Sequence, residues 1–371
     1  RSGCSPPVHD RATDVVAIGS AHQANPRKAT PMNPTPSSSV HLTSSTIAAD
    51  RSSSDQVQPQ VDPAMRVPDV GERALVLGGG GSTGNAWLIG VIAGLFDAGL
   101  NVTRADLTIG TSAGSTAAAQ IAGATPTELL AAILTGAPQQ RPGPGGSQPG
   151  RGPVGPVADH LQRISAVIAA AEDAADMRRR MGAAALAMDA ASDGSWQARW
   201  RATVAARLPS QHWPQHAVLL TAVDADTGEP VVFDRHSGVD LVDAVAASCS
   251  SGLPHRIGDN HYIDGGYRTN AENADLAAGY RRVLVLAPLG GRTLTPPDWG
   301  LALAHQVQEL RVHGSRVETV IPDRTAEHMF GTNAMDLSLR PPAARAGYNQ
   351  GTALAEPLTE FWRPQDHTSF S

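Results

Sequence analysis

The chain has 371 residues, 41% hydrophobic and 17% charged, which supplies apolar material for one large globular domain or two ordinary ones. A formal net charge of −6 argues against a nucleic-acid binder working through a broad basic surface, and 4% aromatics leaves little for a base-stacking platform. Two cysteines, Cys4 and Cys249, cannot make a disulfide framework or a cysteine-based zinc site.

Residues 1–70 are rich in Ser, Pro, Gln and Thr without a sustained hydrophobic period, which predicts a disordered leader carrying no chemistry. Ala74-Leu75-Val76-Leu77 then reads as a short buried strand running into the tight turn of Gly78 to Gly81. From Gly84 the apolar positions Trp87, Leu88, Val91, Ile92, Leu95 and Phe96 predict a helix up to Gly99. Asp106–Gly110 is a second strand, followed through Thr111-Ser112 by a small-residue helix over 113–122 and another after Pro126.

Residues 137–157 are dominated by Pro and Gly, a composition that predicts a mobile loop. Alanine-rich helices are expected over about 157–208. Strands are expected at 217–222, 230–233, 282–287 and 316–321, with helices at 239–249, 299–313 and 342–362. This alternation implies a largely parallel sheet covered on both faces, and no internal repeat is visible. The longest apolar run, Ala86 to Phe96, is far short of the roughly 20 residues a membrane-spanning helix needs, and the N-terminus lacks a basic-then-apolar signal pattern. A cytoplasmic location is therefore expected, with scope for peripheral membrane contact.

Three segments can carry chemistry. Gly110-Thr111-Ser112-Ala113-Gly114 fits G-x-S-x-G, in which a serine sits on a sharp strand-to-helix turn with its hydroxyl exposed. The flanking Gly110 and Gly114 permit the close approach of neighbouring elements that such a turn requires; the bland reading is a helix-capping turn serine. Gly78 to Gly84 (GGGGSTG) exposes successive backbone N–H groups ahead of a helix N-terminus, a nest suited to a phosphate or an oxyanion. Gly79, Gly81 and Gly84 also satisfy G-x-G-x-x-G. A dinucleotide site, however, wants an acid closing the second strand, whereas Asp97 falls in the helix and Asp106 opens the strand.

Asp264-Gly265-Gly266 alone reads as a turn. Beside an activated serine, a partly buried aspartate with a raised pKa can serve as general base without histidine. A Ser-His-Asp triad would instead need a late histidine, and His305, His313, His328 and His367 qualify by order, though none lies in a distinctive pattern. His212 and His216 are separated by Pro214, which spoils a helical metal-ligand pair.

Together, strand–GGGGSTG–helix, strand–GTSAG–helix and a downstream YIDGG resemble the patatin-like phospholipase family over about residues 73–290. TAVDADTGEPVVFD (221–234) and AVAASCSSGLP (244–254) are similar to bacterial members. The resemblance implies a three-layer α/β/α sandwich with a central, mostly parallel sheet, and a hydrolase core over 71–290 interrupted by the loop at 137–157 and a helical insertion at 158–208. Residues 291–371 would complete the same domain. It further implies Ser112 as nucleophile, Asp264 as base, and the amides of Gly79, Gly80 and Gly81 as oxyanion donors, with Gly84, Gly110, Gly114, Gly265 and Gly266 supporting the motifs. The partner would be a lipid or ester substrate, with no metal or organic cofactor.

Two positions differ from the family's usual form. Thr83 stands where Arg or Lys is common, and Ser250-Ser251-Gly252 intervenes before Pro254; both bear on substrate choice. The helices at 157–208, with Met177, Met181 and Met188, would form a greasy lid or simply pack on the sheet. The readings set against an acyl hydrolase are an α/β-hydrolase with a Ser-His-Asp triad, a nucleotide-binding enzyme and a catalytically silent lipid-binding protein.

Overall fold

The local sequence accounts for each segment, starting with the apolar run of the first described strand. A computed structural model describes residues 71–136 and 156–363; the leader expected over 1–70, the Pro/Gly-rich residues 137–155 and residues 364–371 lie outside the described residues. Strand β1 (Gly71–Leu77) ends at the glycines, and helix α1 (Gly81–Asp97) begins ahead of the expected Gly84. It does so because Gly81 adopts φ +64°, a left-handed turn invisible to a hydrophobic period. There follow β2 (Leu107–Gly110), α2 (Ala113–Gly123) and α3 (Pro126–Thr135). Thr125 and Glu128 form a capping box at the start of α3, with Pro126 in its first turn.

The helices α4 (Pro156–Ala170), α5 (Ala174–Ala190) and α6 (Trp196–Ala205) precede β3 (Ala217–Asp224), β4 (Pro230–Phe233) and α7 (Leu241–Ser248). Next come β5 (His255–Ile257), which the sequence does not announce, and β6 (Asn260–Asp264). The chain then runs through β7 (Tyr280–Leu286), α8 (Leu303–Val312), β8 (Arg316–Val320) and α9 (Arg340–Trp362). The α8 segment starts later than expected because Pro297–Trp299 forms a 3-10 turn closed by Gly300 at φ +67°.

All eight strands join one sheet, with hydrogen-bonded neighbours running β5-β6-β3-β2-β1-β7-β8 and β4 paired with β3. The pairs β1–β2, β2–β3, β1–β7 and β7–β8 are parallel; β3–β4, β3–β6 and β5–β6 are antiparallel. Side chains alternate between faces, as the strand period demands. Leu75, Leu77, Leu284 and Leu286 pack with the apolar residues of α1, α2, α7 and α9. Ala74, Val76, Val283 and Val285 face the other way, onto Leu303, Val307 and Leu310 of α8. Helices on both faces make this a three-layer α/β/α fold, as the alternating pattern implied.

One register detail positions the functional segments. Leu220 of β3 pairs with both Gly110 and Phe233, and Ala222 pairs with both Val231 and Asp264. A strand residue has two edges, so β4 occupies one edge of β3 while β2 and β6 share the other in tandem. The end of β2 and the end of β6 are thereby brought face to face.

A second detail concerns helices. A Cβ on Gly90 would land on the Ala344 carbonyl oxygen and one on Gly94 on that of Tyr348; conversely Gly347 and Gly351 abut the Trp87 and Val91 carbonyls. Helices α1 and α9 therefore run parallel with their backbones in contact along a seam of small residues. Trp87 Nε1 donates to Gln350 Oε1 across the seam (3.2 Å).

Met177 and Met181 of α5 are buried with Ile168 against Val223, Ala225 and Ile263, so this face packs on the sheet; Met188 is half-buried. No single helix among the described residues is long and apolar enough to cross a membrane.

Candidate active site

The site lies at the carboxyl ends of the parallel strands, where the chain leaves β1 and β2 through glycines. Gly78 N–H donates to the Leu286 carbonyl (2.9 Å), extending the sheet by one bond, and the loop then turns into α1. A Cβ on Gly80 would sit 2.7 Å from Pro288 Cβ, and one on Gly84 3.1 Å from the same atom, so the loop is pressed against Pro288. A Cβ on Gly79 would lie 3.5 Å from Ser112 Cβ, which places the loop directly beside the serine.

The loop does not present all three expected donors. Gly79 N–H donates to the Ala271 carbonyl at 2.7 Å, so its proton is engaged there in this structure. Among the described residues the amides of Gly80 and Gly81 have no carbonyl partner. They stand at the N-terminus of α1, where unsatisfied N–H groups and the helix dipole favour negative charge. Thr83 is fully buried, its N–H donates to the Ala334 carbonyl (3.0 Å), and its hydroxyl finds no partner among the described residues.

Ser112 occupies the turn between β2 and α2 with φ 52° and ψ −114°. Such a backbone costs roughly 1–3 kcal/mol for a residue with a side chain and persists only when its surroundings impose it. Here they do. A Cβ on Gly114 would land on the Leu77 carbonyl oxygen, and one on Gly110 would sit 2.7 Å from Ser115 Cα, so only glycines allow α2 to come so near β1. Thr111 N–H donates to the Leu77 carbonyl (3.1 Å), and Ser112 N–H donates to Ser248 Oγ (3.0 Å). The Ser112 carbonyl accepts from Ser115 Oγ (2.6 Å) and from the Cys249 thiol (3.1 Å).

Asp264 closes β6. Its N–H donates to the Ser250 carbonyl (3.0 Å), and its Oδ1 accepts from Gly266 N–H (2.8 Å). The Ser112 hydroxyl lies near the same carboxylate and favours its ionised form. Asp264 is only 6% exposed, and burial pushes its pKa up to about 6, against the Gly266 N–H and the Ser112 hydroxyl, which favour the anion. A carboxylate in that range is a far better base than a solvated aspartate and is still ionised at neutral pH. Gly265 is required because a Cβ there would land on Thr221 Oγ1 and its carbonyl oxygen.

The structure also adds residues that sequence reasoning missed. Asn273, fully buried with φ 54°, donates through Nδ2 toward Thr111 Oγ1 (3.0 Å), Thr221 Oγ1 (3.3 Å), the Gly265 carbonyl (3.0 Å) and the Asn270 carbonyl (3.1 Å). Thr111 and Thr221 hydroxyls are themselves 2.9 Å apart, so one amide ties the serine turn, β3 and the aspartate loop together. No spacing rule marks Asn273 in the sequence. Ser250 and Ser251, noted as an insertion before Pro254, supply carbonyls to Asp264 N–H and to the Tyr267 hydroxyl (2.9 Å). Cys249 is no rival nucleophile: burial and the nearby Asp264 push its thiol up to about 11.

Glu272 is unexplained by this arrangement. It is fully buried, neither carboxyl oxygen has a partner among the described residues, and burial pushes its pKa up to about 7. A Cβ on Gly78 would sit 3.1 Å from its Cγ, so it lies under the glycine loop.

Among the described residues, none of the late histidines has a hydrogen bond to Ser112 or Asp264. His305, His313 and His328 are exposed, the rings of the last two contacting the Glu309 and Thr325 carbonyls; His367 lies outside the described residues. Among the described residues no cluster of three or more His, Cys, Asp or Glu is arranged to hold a metal ion.

No protein-family model matches the chain, and no curated protein does. Among solved structures, the crystal structure of VipD from Legionella pneumophila matches at 12% identity with a TM-score of 0.34, covering 78% of this chain and 67% of that one.

Proposed function

We propose that the chain is a serine acyl hydrolase of the patatin-like kind, cleaving carboxylic esters of lipids through Ser112 and Asp264. The observation that carries the reading is a buried carboxylate, Asp264, near the hydroxyl of a serine held on a strained turn beside a glycine loop. Preference for lipid esters rests on the motifs' resemblance to that family.

In the proposed reaction Asp264 accepts the hydroxyl proton as Ser112 Oγ attacks the ester carbonyl. The Gly80 and Gly81 amides and the α1 dipole stabilise the tetrahedral oxyanion. Collapse expels the alcohol, which takes the proton from Asp264 and leaves an acyl-Ser112 ester. Water then gives up a proton to Asp264, attacks the acyl carbonyl, and Ser112 leaves with that proton as the carboxylic acid departs.

The test is hydrolysis of short- and long-chain p-nitrophenyl esters and a phospholipid panel by wild type, Ser112→Ala and Asp264→Asn, each first shown to fold by circular dichroism. Turnover by wild type alone supports the dyad. Turnover retained by Asp264→Asn would falsify it, and a folded but inactive wild type would favour a lipid-binding protein of the same fold.

A further inference from the structure

We infer that Arg340 is a positioning residue for the oxyanion loop: from the first turn of α9 it clamps the first turn of α1 and so sets where the Gly80 and Gly81 amides point. The inference rests on the Ser112–Asp264 reading of the site. Arg340 Nη1 donates to the Ser82 carbonyl (2.8 Å) and to Ser82 Oγ (3.1 Å), and Nη2 reaches Asn85 Oδ1 (3.3 Å). All three acceptors are neutral, and all belong to the first turns of one helix.

Helix stabilisation does not explain this placement. Positive charge belongs near a helix C-terminus, whereas Arg340 lies at the N-terminal, positive end of α1. The half-buried guanidinium also bears a cost of its own: desolvation, with Arg207 nearby, pulls its pKa down to about 10. What the arrangement does provide is rigidity at the donors. Ser82 follows directly on Gly80 and Gly81, and the next amide, Thr83 N–H, is held by the Ala334 carbonyl at 3.0 Å. The chain just ahead of α9 and the first residue of α9 therefore grip consecutive residues of the loop.

The grip extends to the nucleophile. Asn85, which accepts from Arg340, donates through Nδ2 to the Ala113 carbonyl (3.5 Å) and Gln120 Oε1 (2.9 Å) on α2, the helix that Ser112 heads. Arg340, Asn85 and Ala113 thus link the donor loop to the residue that follows the serine. The parallel glycine seam between α1 and α9 independently sets the register, because Gly347 on Trp87 and Gly351 on Val91 leave Arg340 beside Ser82. Oxyanion donors act within a few tenths of an ångström of about 2.9 Å, and a displacement of about 1 Å costs about 100-fold in rate. A guanidinium fork is suited to the task, since it holds two acceptors in fixed relative positions where an ammonium cannot.

The experiment compares the full-length wild type with Arg340→Gln, Arg340→Lys, Ser82→Ala and Ser112→Ala. It measures kcat and KM on a short-chain p-nitrophenyl ester, thermal melts, and inhibition by an alkyl trifluoromethyl ketone, which forms a tetrahedral adduct on an active serine. For Arg340→Gln the expected result is a fall in kcat of about 10- to 100-fold with KM within about twofold. The ketone should weaken by the same factor as kcat/KM, and Arg340→Lys should recover part of the loss. A folded Arg340→Gln with unchanged kcat, or with reduced kcat/KM but unchanged ketone inhibition, overturns the inference. If Arg340→Gln does not fold, Ser82→Ala decides: a fall of a few fold in kcat at constant KM supports the clamp, and unchanged kcat overturns it. Full activity in Ser112→Ala overturns the reading of the site and the clamp with it, whereas loss in Ser112→Ala beside an unchanged Arg340→Gln overturns the clamp alone.

Discussion

The strands that lead to Ser112 and end at Asp264 share one edge of β3. Gly110, two residues before the serine, pairs with Leu220, and Asp264 pairs with Ala222, two residues further along the same strand. Thr221 lies between these pairings, and its hydroxyl is 2.9 Å from that of Thr111 in the serine turn. The separation of the proposed nucleophile and base is thereby set by the β-ladder repeat and not by a flexible loop, which is the rigidity such a pair needs.

The pH dependence follows from the buried base. Asp264 must be ionised to accept the proton from Ser112, and its pKa is raised to about 6. On a neutral ester, kcat/KM should rise about tenfold per pH unit well below 6 and level off above about 7. A profile already flat from pH 4 to 8 would remove Asp264 as the base.

Stability should respond in the opposite sense. A carboxylate whose folded pKa lies above its unfolded value is neutral at low pH, and its burial costs stability as pH rises from about 4 through 6. Asp264→Asn should therefore be about 3 kcal/mol more stable than wild type at pH 8 and no more stable at pH 4, at about 1.4 kcal/mol for each pKa unit between the ordinary value and about 6. Glu272→Met, removing a fully buried acid raised to about 7, should show the same pattern with its rise displaced to higher pH, from about 4.5 through 7. Urea unfolding at the two pH values measures both.

The turn at Ser112 stores strain that glycine would release. With φ 52°, Ser112→Gly should be about 1 kcal/mol more stable than Ser112→Ala, the relieved strain exceeding the extra entropy of an unfolded glycine. Equal stability of the two variants would mean that the serine turn is not strained in solution.

Asn273 should matter for folding and catalysis alike. Asn273→Ala removes a buried donor shared by Thr111, Thr221 and the Gly265 carbonyl, and should cost about 3 kcal/mol. Asn273→Gly keeps access to φ 54° while losing the amide, so the two variants separate the backbone contribution from the hydrogen bonds. Thermal melts of both variants, with kcat measured on the folded fraction, make the comparison.

Local sequence alone determined a good deal about this protein. The apolar runs at 74–77 and 282–287, the strand-to-helix turns at the glycines and the alternation of strands with helices were legible, because strand period, helix period and turn chemistry operate over a few residues. The three motif segments were visible for the same reason: a tight turn forces glycine, and glycine is readable. Only the tertiary structure decided what each group is bonded to. That the Gly79 amide is committed to Ala271, that β5 exists, that β2 and β6 meet in tandem on β3, and that Asn273 and Arg340 bind the site together depend on contacts between distant parts of the chain. An asparagine or an arginine in such a place has no period and no neighbour pattern. Its role arises when packing removes water from around it and leaves specific acceptors within reach, which the order of residues along the chain does not record.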